Sequence, residues 1–175
     1  MFEFERGDGR DRIYVSGPAG VRLTLGNSDG TGLAAGDSYT GVEIVFGSQG
    51  GNDYLTGDEF ANTLLGRAGA DTLIGGAGDD VILTAPGAGL HAQLYGEDGA
   101  DSFVFRVGRG DGWGTAVIHD FQIGLDRLVI EGIGDLAQVL HSDQVAWIRQ
   151  VGADVKMLVQ GDYITLADTS LDLLA

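Results

Sequence analysis

A nine-residue pattern of apolar and polar positions runs through the middle of this chain. Six units align between residues 48 and 104, and the first reads SQGGNDYLT. Their eighth positions are always large and apolar: Leu55, Leu64, Leu73, Ile82, Leu94 and Phe103. Their sixth positions carry a side-chain oxygen in all but one unit: Asp53, Asn62, Asp71, Asp80 and Asp101, with Ala92 as the exception. The pattern predicts one turn and one short strand per unit.

The glycines in the first half of each unit permit tightly bent backbone, and the apolar eighth residue then points inward from the strand. Two units would complete one coil, so units n and n+2 would stack as parallel strands about 4.8 Å apart. This stacking places the sixth-position carboxylates in a file down each edge. Such a file of carboxylates must bind cations, because otherwise the repulsion between its charges would separate the coils. Carboxylates and exposed backbone carbonyls together are an oxygen-only ligand set, which favours calcium over zinc or copper.

Composition narrows the classes of partner. The chain has 175 residues, enough for one domain or one elongated module, and 43% of them are hydrophobic. Its formal charge of −16 argues against nucleic acid or an anionic membrane as partner and favours cations. The absence of cysteine excludes disulfides, thiol catalysis and cysteine-bound zinc. We expect no cleavable signal in MFEFERGDGR and no membrane insertion, since no apolar run approaches transmembrane length.

The units resemble the nonapeptide G-G-x-G-x-D-x-U-x of the RTX (repeats-in-toxin) family. Those beginning at 66 and 75 fit best, whereas the unit at 57 carries Asn62 and has Phe60 where a glycine is expected. The later stretch TAVIHDFQIGLDRLVIEG is similar to the segment that closes the roll in serralysin-type proteases and other type I-secreted proteins. The resemblance covers roughly residues 39 to 131. It implies an all-β fold, a parallel β-roll or right-handed β-helix of nonapeptides with β-rich caps.

In that family, calcium lies between the loops of units n and n+2. Carried over to this chain, Asp53 pairs with Asp71 on one edge, and on the other Asp80 pairs with both Asn62 and Asp101. The pair of Asp71 with Ala92 lacks a carboxylate, so we expect about three well-formed sites. The implied carbonyl ligands are Gly51, Gly66, Gly69, Gly75, Gly76, Gly78, Gly96 and Gly99. Further ligands are Asp111, Asp120 and Asp126, although a turn or a cap would use these aspartates equally well.

The flanking segments are predicted to cap the roll. We divide the chain into an N-terminal β cap (1–47), the nonapeptide roll (48–104) and a β-rich C-terminal cap (105–175). RDRIYV and VRLTL are predicted strands of the first cap, and QVAWIRQV, VKMLVQ and YITLA an antiparallel meander of the second. GDLAQVLHS is the predicted helix, and Trp147 is expected in the core of its cap. The final LADTSLDLLA is either a secretion signal or an ordinary capping turn.

Two functions are compatible with the sequence, and neither is enzymatic. GNSDG at 26–30 matches the G-x-S-x-G pattern but is interpreted as a turn, and no H-E-x-x-H zinc motif is present. The favoured function is a calcium-binding module that folds after type I export from a Gram-negative bacterium, as the C-terminal part of a larger secreted protein. The alternative is a calcium-dependent carbohydrate-binding or adhesin module, similar to the R-modules of alginate epimerases. An acidic polysaccharide or protein partner would then contact Arg106, Arg109 and Trp113.

Overall fold

Two eight-stranded sheets enclose one hydrophobic core in the computed structural model, which describes residues 2–5, 10–26, 39–84, 91–106, 114–142 and 144–170. Sheet A contains β1 (Phe2–Glu5), β2 (Arg12–Val15), β4 (Ile44–Phe46), β6 (Thr63–Leu65), β8 (Val81–Thr84), β10 (Ser102–Phe105), β12 (Arg127–Ile130) and β13 (Gly134–Asp135). Sheet B contains β3 (Arg22–Thr24), β5 (Tyr54–Thr56), β7 (Thr72–Ala77), β9 (Ala92–Asp98), β11 (Thr115–Ile118), β14 (Val145–Val151), β15 (Asp154–Val159) and β16 (Asp162–Leu166).

The chain alternates between the two sheets, so each coil contributes one strand to each. Parallel pairing joins units n and n+2, as the nonapeptide pattern predicts: Leu55 lies in register with Leu73, and Leu73 with Leu94. In sheet A, Leu64 lies in register with Ile82. All six eighth-position side chains are almost completely buried. The architecture is therefore the predicted all-β parallel roll, with stacked aliphatic and aromatic columns as its core.

Antiparallel strands cover both ends of the roll. β1 pairs with β2, and β13 with β12, while β14, β15 and β16 form the antiparallel meander expected from their alternation. The predicted helix is α1 (Leu136–Leu140), whose N-terminus has a capping box between Asp135 and Gln138. In the part of the chain that the structure describes, α1 is the only helix, and it is too short to span a membrane.

Parallel pairing continues past the nonapeptide units on both sides. β2 and β3, predicted as strands of the N-terminal cap, pair in parallel with β4 and β5. At the other end β10 pairs with β12, and β11 with β16, again in parallel. The division into domains at residues 48 and 104 stays a prediction. Trp147 differs from expectation, because it is only partly buried and lies outside the hydrophobic core cluster.

Candidate metal-binding edges of the roll

The turns between the two sheets form two edges. The A-to-B edge contains the turns that lead from sheet A to sheet B, at 47–53 and 66–71. The B-to-A edge contains the return turns at 57–62, 78–80, 99–101 and 119–126. The sixth residue of each unit ends its turn, immediately before the next strand, and is therefore placed at the edge by the nine-residue period.

On the B-to-A edge, three sixth-position side chains and Asp126 lie in consecutive coils. Asp80 Oδ1 accepts a hydrogen bond from the backbone N–H of Asn62 at 2.7 Å. Asp101 Oδ1 accepts from Asp80 N–H at 2.9 Å, and Asp126 Oδ1 accepts from Asp101 N–H at 3.0 Å. Each carboxylate is thus fixed by the coil before it. The structure brings together both pairs expected on this edge and adds Asp126 to the series.

The A-to-B edge carries a shorter series. Asp71 Oδ1 accepts from Asp53 N–H at 2.9 Å, which brings this expected pair together. Asp53 accepts from Val21 N–H at 2.8 Å and from Ser48 N–H at 2.7 Å. The next coil has the buried Ala92 at this position, so the series of carboxylates ends at Asp71.

Glycines leave a small cradle beside these side chains. A methyl group on Gly75 would collide with Asp80 Oδ2 and would lie 2.8 Å from Gly96 O, in the next coil. A methyl group on Gly57 would likewise meet Asn62 Oδ1 and Gly75 O. Each cradle therefore brings a side-chain oxygen of one coil together with a carbonyl oxygen of the next. Gly66 and Gly96 have the same relation to the carboxylates of Asp71 and Asp101.

The remaining predicted glycines hold the loops in close stacking. Gly69 and Gly99 have positive φ angles of 136° and 146°, and added side chains there would meet the carbonyls of Gly51 and Gly78. Gly76 approaches Asp58 O in the same way. These positions require glycine because an adjacent coil occupies the space of a Cβ. Whether their carbonyls ligate a metal stays a prediction.

Burial leaves these carboxylates with poor solvation. Desolvation raises the pKa of Asp71 and Asp80 to about 7 and that of Asp101 to about 6. It also raises the pKa of Asp53 and Asp126. Hydrogen bonds from backbone N–H groups lower these values but do not offset burial. The second oxygens, Asp80 Oδ2 and Asp101 Oδ2, are buried without any hydrogen-bond partner.

This arrangement fits a hard cation. Within the described ranges, no three acidic or histidine side chains converge on one point. A cation at an edge would therefore be held by one or two side-chain oxygens together with backbone carbonyls. The unpaired oxygens of Asp80 and Asp101 beside glycine cradles provide that combination, and oxygen-only donors suit calcium. A buried carboxylate without a partner is otherwise costly.

The three further aspartates have different positions. Asp126 continues the B-to-A series and also accepts from Gln122 N–H at 2.7 Å. Asp120 accepts from Gly96 N–H and Glu97 N–H at 3.0 and 2.9 Å, so it binds the last part of β9. Asp111 lies outside the described residues. The ligand roles of all three stay predictions.

Several residues of the edges were not among the predicted ones. Gly47 and Gly57 form cradles like that of Gly75, and Gly57 could have been found because it occupies the first position of its unit. The fifth positions also connect coils: Asn52 Oδ1 accepts from Ala70 N–H, and Asp79 Oδ1 from Ala100 N–H, both at 2.9 Å. An Asn or Asp in that column was the available signal.

Comparison with known families agrees with this geometry. Residues 41–84 match the family model of the RTX calcium-binding nonapeptide repeat, in four copies. A comparison with curated proteins gave no significant match. The matched residues include both edges of the central coils, with Asp53, Asn62, Asp71 and Asp80 in their sixth positions. Residues 41–84 are therefore RTX calcium-binding nonapeptide repeats, and they form the central coils of the roll.

Proposed function

We propose that this chain is a calcium-dependent folding module of an exported protein. The observation that carries the proposal is the burial of Asp80 Oδ2 and Asp101 Oδ2 without hydrogen-bond partners. These oxygens belong to carboxylates that the fold places in consecutive coils. The stacked carboxylates repel one another, and so do the other negative charges of a chain with net charge −16. Both effects oppose closure of the roll unless positive charge is added at its edges.

The residues of the roll have separate parts in this folding step. The sixth-position carboxylates each bind a backbone N–H of the preceding coil with one oxygen and present the other toward a glycine cradle. The first-position glycines admit the carbonyl of the next coil. Bound calcium would compensate the negative charge of these carboxylate oxygens. Because its ligands come from two coils, ligation would fasten neighbouring coils together and make folding cooperative along the roll.

Export is supported by the expected affinity. Extracellular calcium modules bind with dissociation constants of about 10⁻⁴–10⁻³ M, and affinity falls with fewer charged ligands. One carboxylate per unit corresponds to that weak range. We propose that the chain stays unfolded at cytosolic calcium, passes through type I secretion machinery and folds outside the cell. The absence of cysteine agrees with folding that depends on calcium rather than on disulfides.

We propose no enzymatic activity for this module. Its buried carboxylates are engaged by backbone N–H groups in a periodic series, which is the geometry of a structural metal edge. His119 stacks on Tyr95 and bonds to Gln93, and His141 bonds to the carbonyl of Ala137. Within the described residues, neither of these histidines is hydrogen-bonded to a carboxylate.

A calcium titration monitored by circular dichroism tests the proposal. We expect the β-sheet signal to develop with a midpoint between 10⁻⁴ and 10⁻³ M, the range of extracellular modules. A sub-micromolar midpoint would contradict the export part, since the module would then fold before secretion. A β-sheet signal independent of calcium would contradict the folding part.

A further inference from the structure

We propose that the guanidinium of Arg67 is an internal cation that takes the place of calcium at the N-terminal end of the A-to-B edge. Three turns stack there: 16–21, which leads from β2 to β3, then 47–53 and 66–71. Arg67 belongs to the last of them and occupies the position of the second glycine in the nonapeptide pattern. The inference rests on the proposed function, because it states where the roll closes without calcium.

The Arg67 side chain extends along the edge, past one coil and as far as the next. Nη1 donates a hydrogen bond of 3.5 Å to the carbonyl oxygen of Val15, the last residue of β2. The Cζ atom lies 5.5 Å from the centre of the Phe46 ring in β4, within the range of a cation–π contact. Because β2, β4 and β6 are consecutive strands of sheet A, the side chain spans two coils, or about 10 Å. One arginine thereby connects three coils at this edge.

The turn that Arg67 passes contains Asp53, whose side chain is buried. Burial raises the pKa of Asp53, and the positive charge of Arg67 is among the influences that lower it. Of the five described carboxylates with a raised pKa, Asp53 is the one on which a basic side chain acts. Asp53 also accepts N–H groups with both oxygens, from Val21 and Ser48. Its negative charge is therefore compensated by the protein, without a bound ion.

On the B-to-A edge the carboxylates have the opposite surroundings. Asp80 Oδ2 and Asp101 Oδ2 are buried without a hydrogen-bond partner. Burial is the main cause of the raised pKa of these two residues, and the charges that add to it come from neighbouring aspartates. The positions equivalent to Arg67 are Gly76 and Glu97, so neither provides a cation. Positive charge on that edge has to come from calcium.

The arginines expected to meet a ligand are placed differently. Arg106 forms an ion pair with Glu131 at 3.0 Å, and both side chains are about half exposed. Arg109 and Trp113 lie outside the described residues. An exposed pair of this kind contributes little to stability, whereas Arg67 acts on a buried carboxylate.

The backbone of Arg67 permits a sharp test. Its φ angle is 67°, in the left-handed region that favours glycine, and Gly76 has a φ of 109° at the same position of the next unit. Arg67→Gly would therefore relieve strain while it removes the side chain. Glu97 also has a positive φ, 70°, at this position of its unit, so Glu97→Gly is the matched control.

Calcium titration monitored by circular dichroism gives the midpoint of folding for each variant. We expect Arg67→Gly to raise this midpoint by about threefold or more, although it relieves strain, and Glu97→Gly to leave it unchanged or lower it. Arg67→Met retains the strain and the length of the side chain but not the charge, and it should raise the midpoint at least as much. Arg67→Lys retains the charge and should restore most of the wild-type midpoint.

A double-mutant cycle identifies the partner of the charge. In the Asp53→Asn background, which offers Arg67 no carboxylate, Arg67→Met should raise the midpoint by less than about twofold. In the Asp80→Asn background the full effect of Arg67→Met should persist, because Asp80 lies on the other edge.

The outcomes separate this inference from the proposed function. A wild-type β-sheet signal that does not depend on calcium contradicts the proposed function. Urea unfolding of the same variants then measures the coupling between Arg67 and Asp53, and absence of coupling overturns the inference. If the wild-type chain folds with calcium, unchanged midpoints in Arg67→Met and Arg67→Gly, or equal effects of Arg67→Met in both backgrounds, overturn it. Failure of both Arg67→Met and Arg67→Lys to fold in saturating calcium would show that the charge does not close this end, which also overturns it.

Discussion

Both edges of the roll are built from nonapeptide turns, but the series of side-chain oxygens is longer on the B-to-A edge than on the A-to-B edge. The B-to-A edge has Asn62, Asp80, Asp101 and Asp126 in four consecutive coils, each bonded to the next. On the A-to-B edge the described series consists of Asp53 and Asp71, and Ala92 ends it. Asp53 also differs from Asp80, because both of its oxygens accept hydrogen bonds from backbone N–H groups.

This difference shows how the same residue type serves two purposes. Where a carboxylate has backbone donors for both oxygens, the protein itself compensates its charge. Where one oxygen remains buried and unpaired, compensation has to come from a cation or a proton. We therefore expect the B-to-A edge to depend more strongly on calcium. On both edges burial is the main cause of the raised pKa values, and a neighbouring charge adds to it: Asp101 raises the pKa of Asp80, Asp126 that of Asp101, and Asp53 that of Asp71.

Removal of calcium tests both edges together and has the largest expected effect. One site adds about 2.7 kcal/mol when calcium exceeds its dissociation constant a hundredfold, so three sites would add roughly 8 kcal/mol. The total stability of a domain is only about 5–15 kcal/mol. We expect most of the β-sheet circular dichroism to disappear in chelator and to return with calcium. Magnesium is the control, since its smaller octahedral shell should not restore the signal. A β-sheet spectrum retained in chelator would falsify calcium-dependent folding.

A methyl group in a cradle tests the B-to-A edge alone. In Gly75→Ala the new side chain would meet Asp80 Oδ2 and Gly96 O, so the coils would have to separate. We expect a loss of about 1–3 kcal/mol in the free energy of unfolding in calcium, measured by urea denaturation. Gly50→Ala is the matched control, because no atom lies within 4 Å of the position of its Cβ. Equal losses in both variants would show that the cradle has no special role.

Replacing one carboxylate on each edge measures the difference between them. Asp80→Asn keeps an oxygen for Asn62 N–H but removes the charge, and Asp53→Asn does the same for Val21 N–H. We expect Asp80→Asn to raise the calcium midpoint of folding by about tenfold, corresponding to about 1.4 kcal/mol, and Asp53→Asn to raise it less. Isothermal titration of both variants provides the measurement. Equal midpoints would mean that the edges are equivalent.

Much of the roll could be predicted because the nine-residue period determines two things at once. It fixes which side chains point inward, as Leu55 and Leu64 do, and which carboxylates stack, as Asp53 and Asp71 do. An apolar column and a carboxylate column at constant spacing are together enough to predict the fold and the central carboxylate pairs. Within the nonapeptides, regular sequence spacing and strand register are equivalent.

Where turns change length, the resemblance identified Asp126 as a candidate ligand, but the nine-residue period could not predict its place in the series. Asp126 joins the B-to-A series 25 residues after Asp101, and Val21 contacts Asp53 across 32 residues, whereas a regular pair is 18 residues apart. Pairing between strands still aligns these residues in space. The inserted residues, however, interrupt the nine-residue period of the sequence. The position of Trp147 was missed for another reason. Alternation along a strand shows that it has two faces but does not show which of them meets the core.

A change of pH has the smallest expected effect and tests the role of the unpaired charges. Burial raises the pKa of Asp71 and Asp80 to about 7 and that of Asp101 to about 6, above the unfolded value of about 4. A raised pKa in the folded state means that folding favours the protonated form. Without calcium, this contribution is fully present below about pH 4 and is lost as the pH rises through about 6 to 7.

Calcium requires the ionised carboxylates, so protons compete with it. We therefore expect calcium-free protein, which is largely unfolded at pH 7.5, to regain part of its β-sheet signal at pH 5.5, so that the difference between the signals with calcium and without it narrows. Protein stripped of calcium by gel filtration, with its circular dichroism recorded at both pH values, gives this difference. Asp80→Asn is the informative control, because it lacks one of the raised carboxylates and should show a weaker pH dependence than Asp53→Asn. If the difference widens at pH 5.5, the buried carboxylates are not protonated in the calcium-free fold, and the unpaired oxygens of the B-to-A edge do not explain its need for calcium.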